Sequence, residues 1–229
     1  MYIMGLGNRL ECILNNLMNQ GCSSLFADIG SDHAFLAIEA VKRGYAKSAI
    51  ASDINPSPLK CGFENAKAQH IHIDFVLSDG FDAIESRDIS SAAICGMGGE
   101  LIAEIVGRSE AAKKCILALQ PMNHQEHLRK FLWENGFEII NEDFCVESSK
   151  PYCIIIARYT GINSDYTYSE LFIGKNPVPT HEFIKYTEKV MSSAKKRLAG
   201  QRITGADTSQ TEQLICECQT QITNFSAGT

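Results

Sequence analysis

Three aspartates, Asp28, Asp53 and Asp79, each stand at the end of a short apolar run, and 25 residues separate the first from the second. Asp28 opens the string Asp28-Ile29-Gly30-Ser31-Asp32-His33, which leads directly into an amphipathic stretch. In an open α/β sheet, that strand-to-helix junction is where a nucleotide-like ligand sits. A dinucleotide loop needs further glycines there so that backbone can approach a pyrophosphate, but Asp32 and Ala34 occupy those places. A carboxylate repels phosphate and attracts a cation. The loop therefore favours a ligand with a cationic centre and no pyrophosphate, which the amine and sulfonium of S-adenosylmethionine supply. Asp53 is placed to accept hydrogen bonds from both hydroxyls of an adenosine ribose. Ser78-Asp79-Gly80 sets a carboxylate beside the adenine amino group, with Gly80 easing the turn. Each acid alone is equally a helix cap or a turn residue. Three at consecutive strand ends are harder to dismiss.

A fourth apolar run ends in Cys95-Gly96-Met97-Gly98-Gly99, where the chain turns with almost no side-chain bulk and backbone can approach a flat substrate closely. The plainer alternative is that these glycines only ease a strand-to-helix turn. A fifth run ends in Gln120-Pro121-Met122, which would line the same opening. His124 and His127 lie three apart on a helical stretch, but no third ligand is evident, so no metal is expected. The nine cysteines include no Cys-x-x-Cys pair and read as reduced structural thiols.

These residues need a frame, and the chain supplies one. Short apolar runs alternate with amphipathic stretches, predicting strands at Leu25 to Ile29, Ser48 to Ser52, Ile73 to Leu77, Ala92 to Cys95 and Cys115 to Leu119. Helices are expected over 33–43, 56–69, 98–108 and 124–135, with one from Leu6 to Asn19 that would cap the ligand end. Phe137 to Val146 and Tyr152 to Tyr159 are joined too tightly for a helix, which forces an antiparallel hairpin. The expected fold class is α/β: a doubly wound, mostly parallel sheet with an antiparallel edge strand. After residue 159 the composition turns polar, then forms two helical stretches over 180–200 and 208–225. The expected division is therefore a ligand-binding domain over 1–159 and a helical hairpin domain over 160–229.

With 229 residues, 45% apolar and 21% charged, the chain can build one full core, and its net charge of −6 excludes wholesale coating of nucleic acid. No apolar run approaches the ~18 residues of a membrane span. Arg9 and Glu11 interrupt the place where a signal peptide would be apolar, so a cytoplasmic location is expected. Between Lys175 and Arg202, seven basic residues face two acidic ones, either a solvated helix face or an RNA-contacting surface.

Taken together, the Asp28 to His33 string, Ala51-Ser52-Asp53, Ser78-Asp79-Gly80, Gly96-Met97-Gly98-Gly99 and Gln120-Pro121-Met122 resemble the bacterial tRNA (adenine(22)-N(1))-methyltransferase family, TrmK. The similarity runs over nearly the whole chain, including Arg9-Leu10, the helix from His127 to Trp133, Tyr152 and the C-terminal helices. It implies a class I Rossmann-like methyltransferase that uses S-adenosylmethionine to methylate N1 of adenosine 22 in the tRNA D arm. By the same resemblance, Asp28, Gly30, Ser31 and His33 would shape the cofactor loop. Asp53 with Ile54 would meet the ribose, Asp79 with Gly80 the adenine, and Gly96 would complete the cofactor set.

On the substrate side stand Arg9, Met97, Gly98, Gly99, Gln120, Pro121 and Arg129 at the active edge, with Lys195, Lys196 and Arg197 as phosphate contacts. Lys185, Lys189, Lys130 and Arg202 extend the basic candidates. Asp32 is the expected catalytic carboxylate, with a helix N-cap as the alternative. No Asn/Asp-Pro-Pro-aromatic string follows the fourth strand, which argues against methylation of an amino group. Two other classes stay open: a small-molecule methyltransferase in which the helical pair dimerises, and a non-enzymatic RNA-binding protein that keeps the fold. The expected partner is tRNA, with no membrane and a monomeric or weakly dimeric state.

Overall fold

A computed structural model describes residues 6–228. In chain order the elements are α1 (Asn8–Met18), β1 (Ser23–Ile29), α2 (Phe35–Lys42), β2 (Ala46–Asp53), α3 (Pro56–Ala68) and β3 (Asp74–Leu77). There follow β4 (Ser91–Met97), α4 (Gly99–Gly107), β5 (Ile116–Pro121), α5 (Gln125–Glu134), β6 (Phe137–Glu147) and β7 (Lys150–Tyr159). The chain closes with α6 (Tyr168–Ile173), α7 (His181–Thr204) and α8 (Ser209–Gly228). Every expected strand and helix is present within a few residues; the six-residue α6 falls in and just beyond the stretch read as polar and turn-rich.

The seven strands form one sheet in the order β3-β2-β1-β4-β5-β7-β6. β1 to β5 pair in parallel, and β7 is antiparallel to both of its neighbours, so the hairpin supplies the antiparallel edge. The order reverses between β1 and β4, which opens a crevice beyond their carboxyl ends. Ile154, Ile155 and Ile156 on β7 are all fully buried, the continuous apolar run expected of a strand covered on both faces.

Two apolar layers cover the sheet. One joins Ile13, Leu14 and Leu17 of α1 to Leu36, Ile38 and Ala40 of α2, over Phe26, Ala93 and Ala118. Helix α1 thus lies on a sheet face, and only its first turn reaches the ligand end. The other layer runs from Ile29 and Ile94 through Ile102, Val106 and Leu128 to Phe183, Tyr186, Ala194 and Leu214. The core therefore continues past residue 159: the Phe183 and Tyr186 rings sit 5.0 and 4.9 Å from that of Phe144. By contrast, residues 199–206 are exposed apart from Gln201, which is half-buried. No helix among the described residues is long and apolar enough to cross a membrane.

Candidate active site

The parallel register sets Asp28 one residue before the end of β1, Asp53 at the end of β2 and Asp79 two residues past β3. All three acids thus meet at the carboxyl edge. Asp28 is buried and accepts a hydrogen bond from Ser31 Oγ at 2.7 Å, and burial pushes its pKa up to about 6. The Gly30 and Ser31 amides donate to the Ser52 carbonyl at 2.8 and 2.9 Å, tying the loop to the neighbouring strand. Gly30 has φ +73°, and a Cβ there would stand 2.0 Å from the Met97 Cε, so glycine is required twice over.

Asp32 and His33 follow on the open side of the loop, with His33 Nε2 3.3 Å from Asp32 Oδ2 and the Asp32 side chain 78% exposed. Helix α2 is instead capped by Ala34, in the left-handed conformation, which removes the N-cap alternative for Asp32. A cavity of about 370 Å³ gathers Arg9, Asp28, Gly30, Ser31, Asp32, His33 and Gly96, with Cys95 and Phe35 in its wall. That volume falls in the ~300–1,000 Å³ range of small-molecule sites. Burial raises the pKa of the Cys95 thiol, so it stands protonated rather than as a nucleophile.

Asp53, Ile54, Asp79 and Gly80 lie outside this cavity, on the adjoining strand ends. Asp53 Oδ1 accepts the Asn55 amide at 2.7 Å, a turn contact that leaves its second oxygen for a ligand. Ile54 is 62% exposed, an apolar side chain at the edge where an aromatic ring would pack. Asp79 is held by Arg108, whose Nη2 lies 2.5 Å from Asp79 Oδ1 and 3.1 Å from the Asp79 carbonyl. Sequence reasoning missed Arg108, because nothing local links a residue after α4 to an acid 29 positions earlier.

On the other side of the cavity, Gln120 is fully buried and acts as a junction. Its Oε1 accepts from Arg9 Nη1 at 2.6 Å and from the Gly96 amide at 3.2 Å. Arg9 is also anchored by Glu147, which takes the Arg9 backbone amide at 3.2 Å and lies 3.7 Å from Nε, and its guanidinium sits 5.8 Å from the Tyr152 ring centroid. Glu147 was not anticipated, since it lies 138 residues from Arg9.

Four expected substrate contacts need correction. Gln120 and Pro121 are buried; Met122, 43% exposed, is the open side chain of this segment. Gly99 is buried, its amide bonded to the Asn123 carbonyl at 3.0 Å, and a Cβ there would meet the His124 carbonyl oxygen at 2.2 Å. Gly99 therefore serves close packing, leaving Gly96, Met97 and Gly98 at the opening. Arg129 is fully buried: Nε bonds Glu142 Oε1 at 2.8 Å, and Nη1 bonds the Leu171 and Phe172 carbonyls at 2.8 and 3.0 Å. It is a structural clamp and not a phosphate contact. His124 Nδ1 faces Glu100 Oε1 at 3.4 Å.

Among the basic candidates, Lys195 and Lys196 are exposed, Arg202 pairs with Glu212 at 2.9 Å, and Arg197 is half-buried over the Phe172 ring at 4.9 Å.

The family model described as TrmK, tRNA (adenine(22)-N(1))-methyltransferase, matches residues 26–223. The tRNA (adenine(22)-N(1))-methyltransferase of Bacillus subtilis (strain 168) is 34% identical over 161 residues, which span 67% of this chain and 65% of that protein. The crystal structure of the B. subtilis m1A22 tRNA methyltransferase TrmK superposes with a TM-score of 0.74 at 26% identity, covering 97% of each chain. That of Streptococcus pneumoniae Sp1610 in complex with S-adenosyl-L-methionine gives 0.77 at 27% identity, over 90% of this chain and 98% of that one. The fold is thus the Rossmann-like methyltransferase fold, and the chain belongs to the TrmK family of tRNA (adenine(22)-N(1))-methyltransferases.

Proposed function

We propose that this chain transfers a methyl group from S-adenosylmethionine to N1 of adenosine 22 in the D arm of tRNA, in the cytoplasm. The observation that carries the reading is the row of acids at the ends of β1, β2 and β3 along one sheet edge, with a cavity at the first of them, in a chain of this family. The residues fit the cofactor. Asp28 and Asp32 offer carboxylates to its cationic groups, Gly30 lets the loop turn tightly against Met97, Asp53 keeps an oxygen for the ribose, and Ile54 packs against the adenine. When bound, S-adenosylmethionine supplies an electrophilic methyl on a sulfonium.

N1 of adenine is an unprotonated lone pair in the ring plane, so the chain's main task is alignment. Gly96, Met97 and Gly98 line the opening where the base enters, and Arg9, fixed by Gln120 and Glu147, sets its far wall. Methylation at N1 would leave the adenine ring positively charged. Asp32, the exposed carboxylate of the cavity, stabilises that charge or takes a proton from the amino group. A base inside folded tRNA must leave its stack to reach this edge. Lys195 and Lys196 supply phosphate contacts away from the reacting atoms.

The test is incubation with methyl-labelled cofactor and unmodified tRNA, followed by digestion to nucleosides. Label in 1-methyladenosine is expected; label in another nucleoside, or only in small-molecule acceptors, would overturn the reading.

A further inference from the structure

A second cleft, of about 330 Å³, lies farther along the same edge, between the loop after β5 and helices α6 and α7. Met122, Asn123 and His124 form one wall, and Phe172, Lys189 and Arg197 the other. The first wall is continuous with the substrate opening: the Met122 amide donates to the Met97 carbonyl at 2.8 Å, and Asn123 Oδ1 stands 3.0 Å from the Cβ position of Gly98.

The charges on the opposite wall are unspent. Arg197 lays its guanidinium 4.9 Å from the Phe172 ring centroid and 5.9 Å from that of Tyr168, which fixes the group, yet its Nε is buried with no hydrogen-bond partner among the described residues. Lys189 has no carboxylate within 4 Å among the described residues; burial, and then the charge of Lys150, depress its pKa. The body of the protein differs, since Arg43, Arg87, Arg108 and Arg158 are each paired with an acid. The one acidic lining residue, Glu126, is outnumbered two to one. A stacked, directionally fixed guanidinium about two helical turns from a lysine on the same cleft wall is chemistry for a phosphate oxygen.

Resting on the reading that tRNA is the substrate, we propose that this cleft is a nucleotide subsite: it holds the backbone phosphate next to the flipped adenosine, on Arg197 and Lys189, with the exposed Met122 beside the adjoining base. By gripping the strand at that phosphate, the cleft would fix how far the target base reaches toward Gly96, a positioning role separate from the general attraction of Lys195 and Lys196.

The experiment compares wild-type and Arg197→Ala proteins on tRNAs in which each of the four backbone linkages nearest the target adenosine is replaced in turn by an uncharged methylphosphonate. Cofactor affinity and melting temperature are followed in parallel. One linkage should weaken tRNA binding by wild type about 10-fold when neutralised, in keeping with a lost charged hydrogen bond, and should have a clearly smaller effect in Arg197→Ala, where only Lys189 remains to meet it. Arg197→Lys, which keeps charge without the stacked fork, should recover only part of the loss. If Arg197→Ala proves unstable, Lys189→Ala is tested against the same set, with the same expected reduction of the phosphate effect. Penalties that multiply at every linkage, with wild type active, would overturn the subsite alone. Absence of transfer to any tRNA by wild type would overturn the reading on which it rests.

Discussion

Asp28 and Asp32 are four residues apart, yet their surroundings give them different work. Asp28 is buried and its pKa is raised to about 6, above the ordinary value of 3.8, so the folded state holds its proton more tightly than the unfolded chain. Its contribution to stability is present below pH 4 and is lost as pH rises through 6, a change of roughly 3 kcal/mol if the whole shift is expressed. Asp28→Asn should therefore raise the melting temperature at pH 8 and leave it nearly unchanged at pH 4, as thermal unfolding across that range would show. The same variant should weaken cofactor binding about 10-fold or more at pH 8, because the anion that faces the cationic ligand is gone. A cofactor affinity unaffected by this change would remove Asp28 from the site. Asp32 is exposed and, among the described residues, pairs with His33, so Asp32→Asn should leave stability within ~0.5 kcal/mol and lower kcat about 10- to 100-fold, with little change in KM for tRNA. A KM effect alone would make Asp32 a binding residue.

Strand ends and helix clamps decide whether those side chains meet. Gly30→Ala places a Cβ against the Met97 methyl at a positive φ. Met97 can swing away but the backbone cannot relax, so a loss of about 1–2 kcal/mol by chemical denaturation is expected, and trimming Met97 as well should recover only part of it. Arg129 joins α5, β6 and the end of α6 through Glu142 and two carbonyls. Arg129→Ala strands the buried Glu142 carboxylate and should cost roughly 3–5 kcal/mol. The acid series was legible in the sequence because the apolar runs mark the strand ends and the strand ends place the acids. Arg129 was not legible: a charged residue on an amphipathic helix reads as solvated, and its partner sits 13 residues away in a strand with a mixed polar pattern. Gln120 misled in the same way, since a polar residue at a strand end looks like ligand chemistry until its burial is known. α6 was overlooked, although Thr167 and Glu170 form a capping box that was a usable signal.

At the scale of the whole molecule, an acidic protein with a net charge of −6 must bind an anionic polymer through a local surface. On the proposed reading that surface is on helix α7, where Phe183 and Tyr186 pack against Phe144 while Lys195 and Lys196 are exposed. Replacing Lys195 and Lys196 with Ala should leave the melting temperature unchanged and reduce the slope of log Kd for tRNA against log salt by about 1–2. An unchanged slope would move the interface elsewhere. The acids at the strand ends and the exposed Lys195 and Lys196 of α7 are what the proposed reading assigns to a cationic cofactor and an anionic substrate. The most direct test is methyl transfer to unmodified tRNA with adenosine at position 22, beside the same tRNA with guanosine there. The account predicts label in the first alone; equal labelling of both, or none in either, would contradict it.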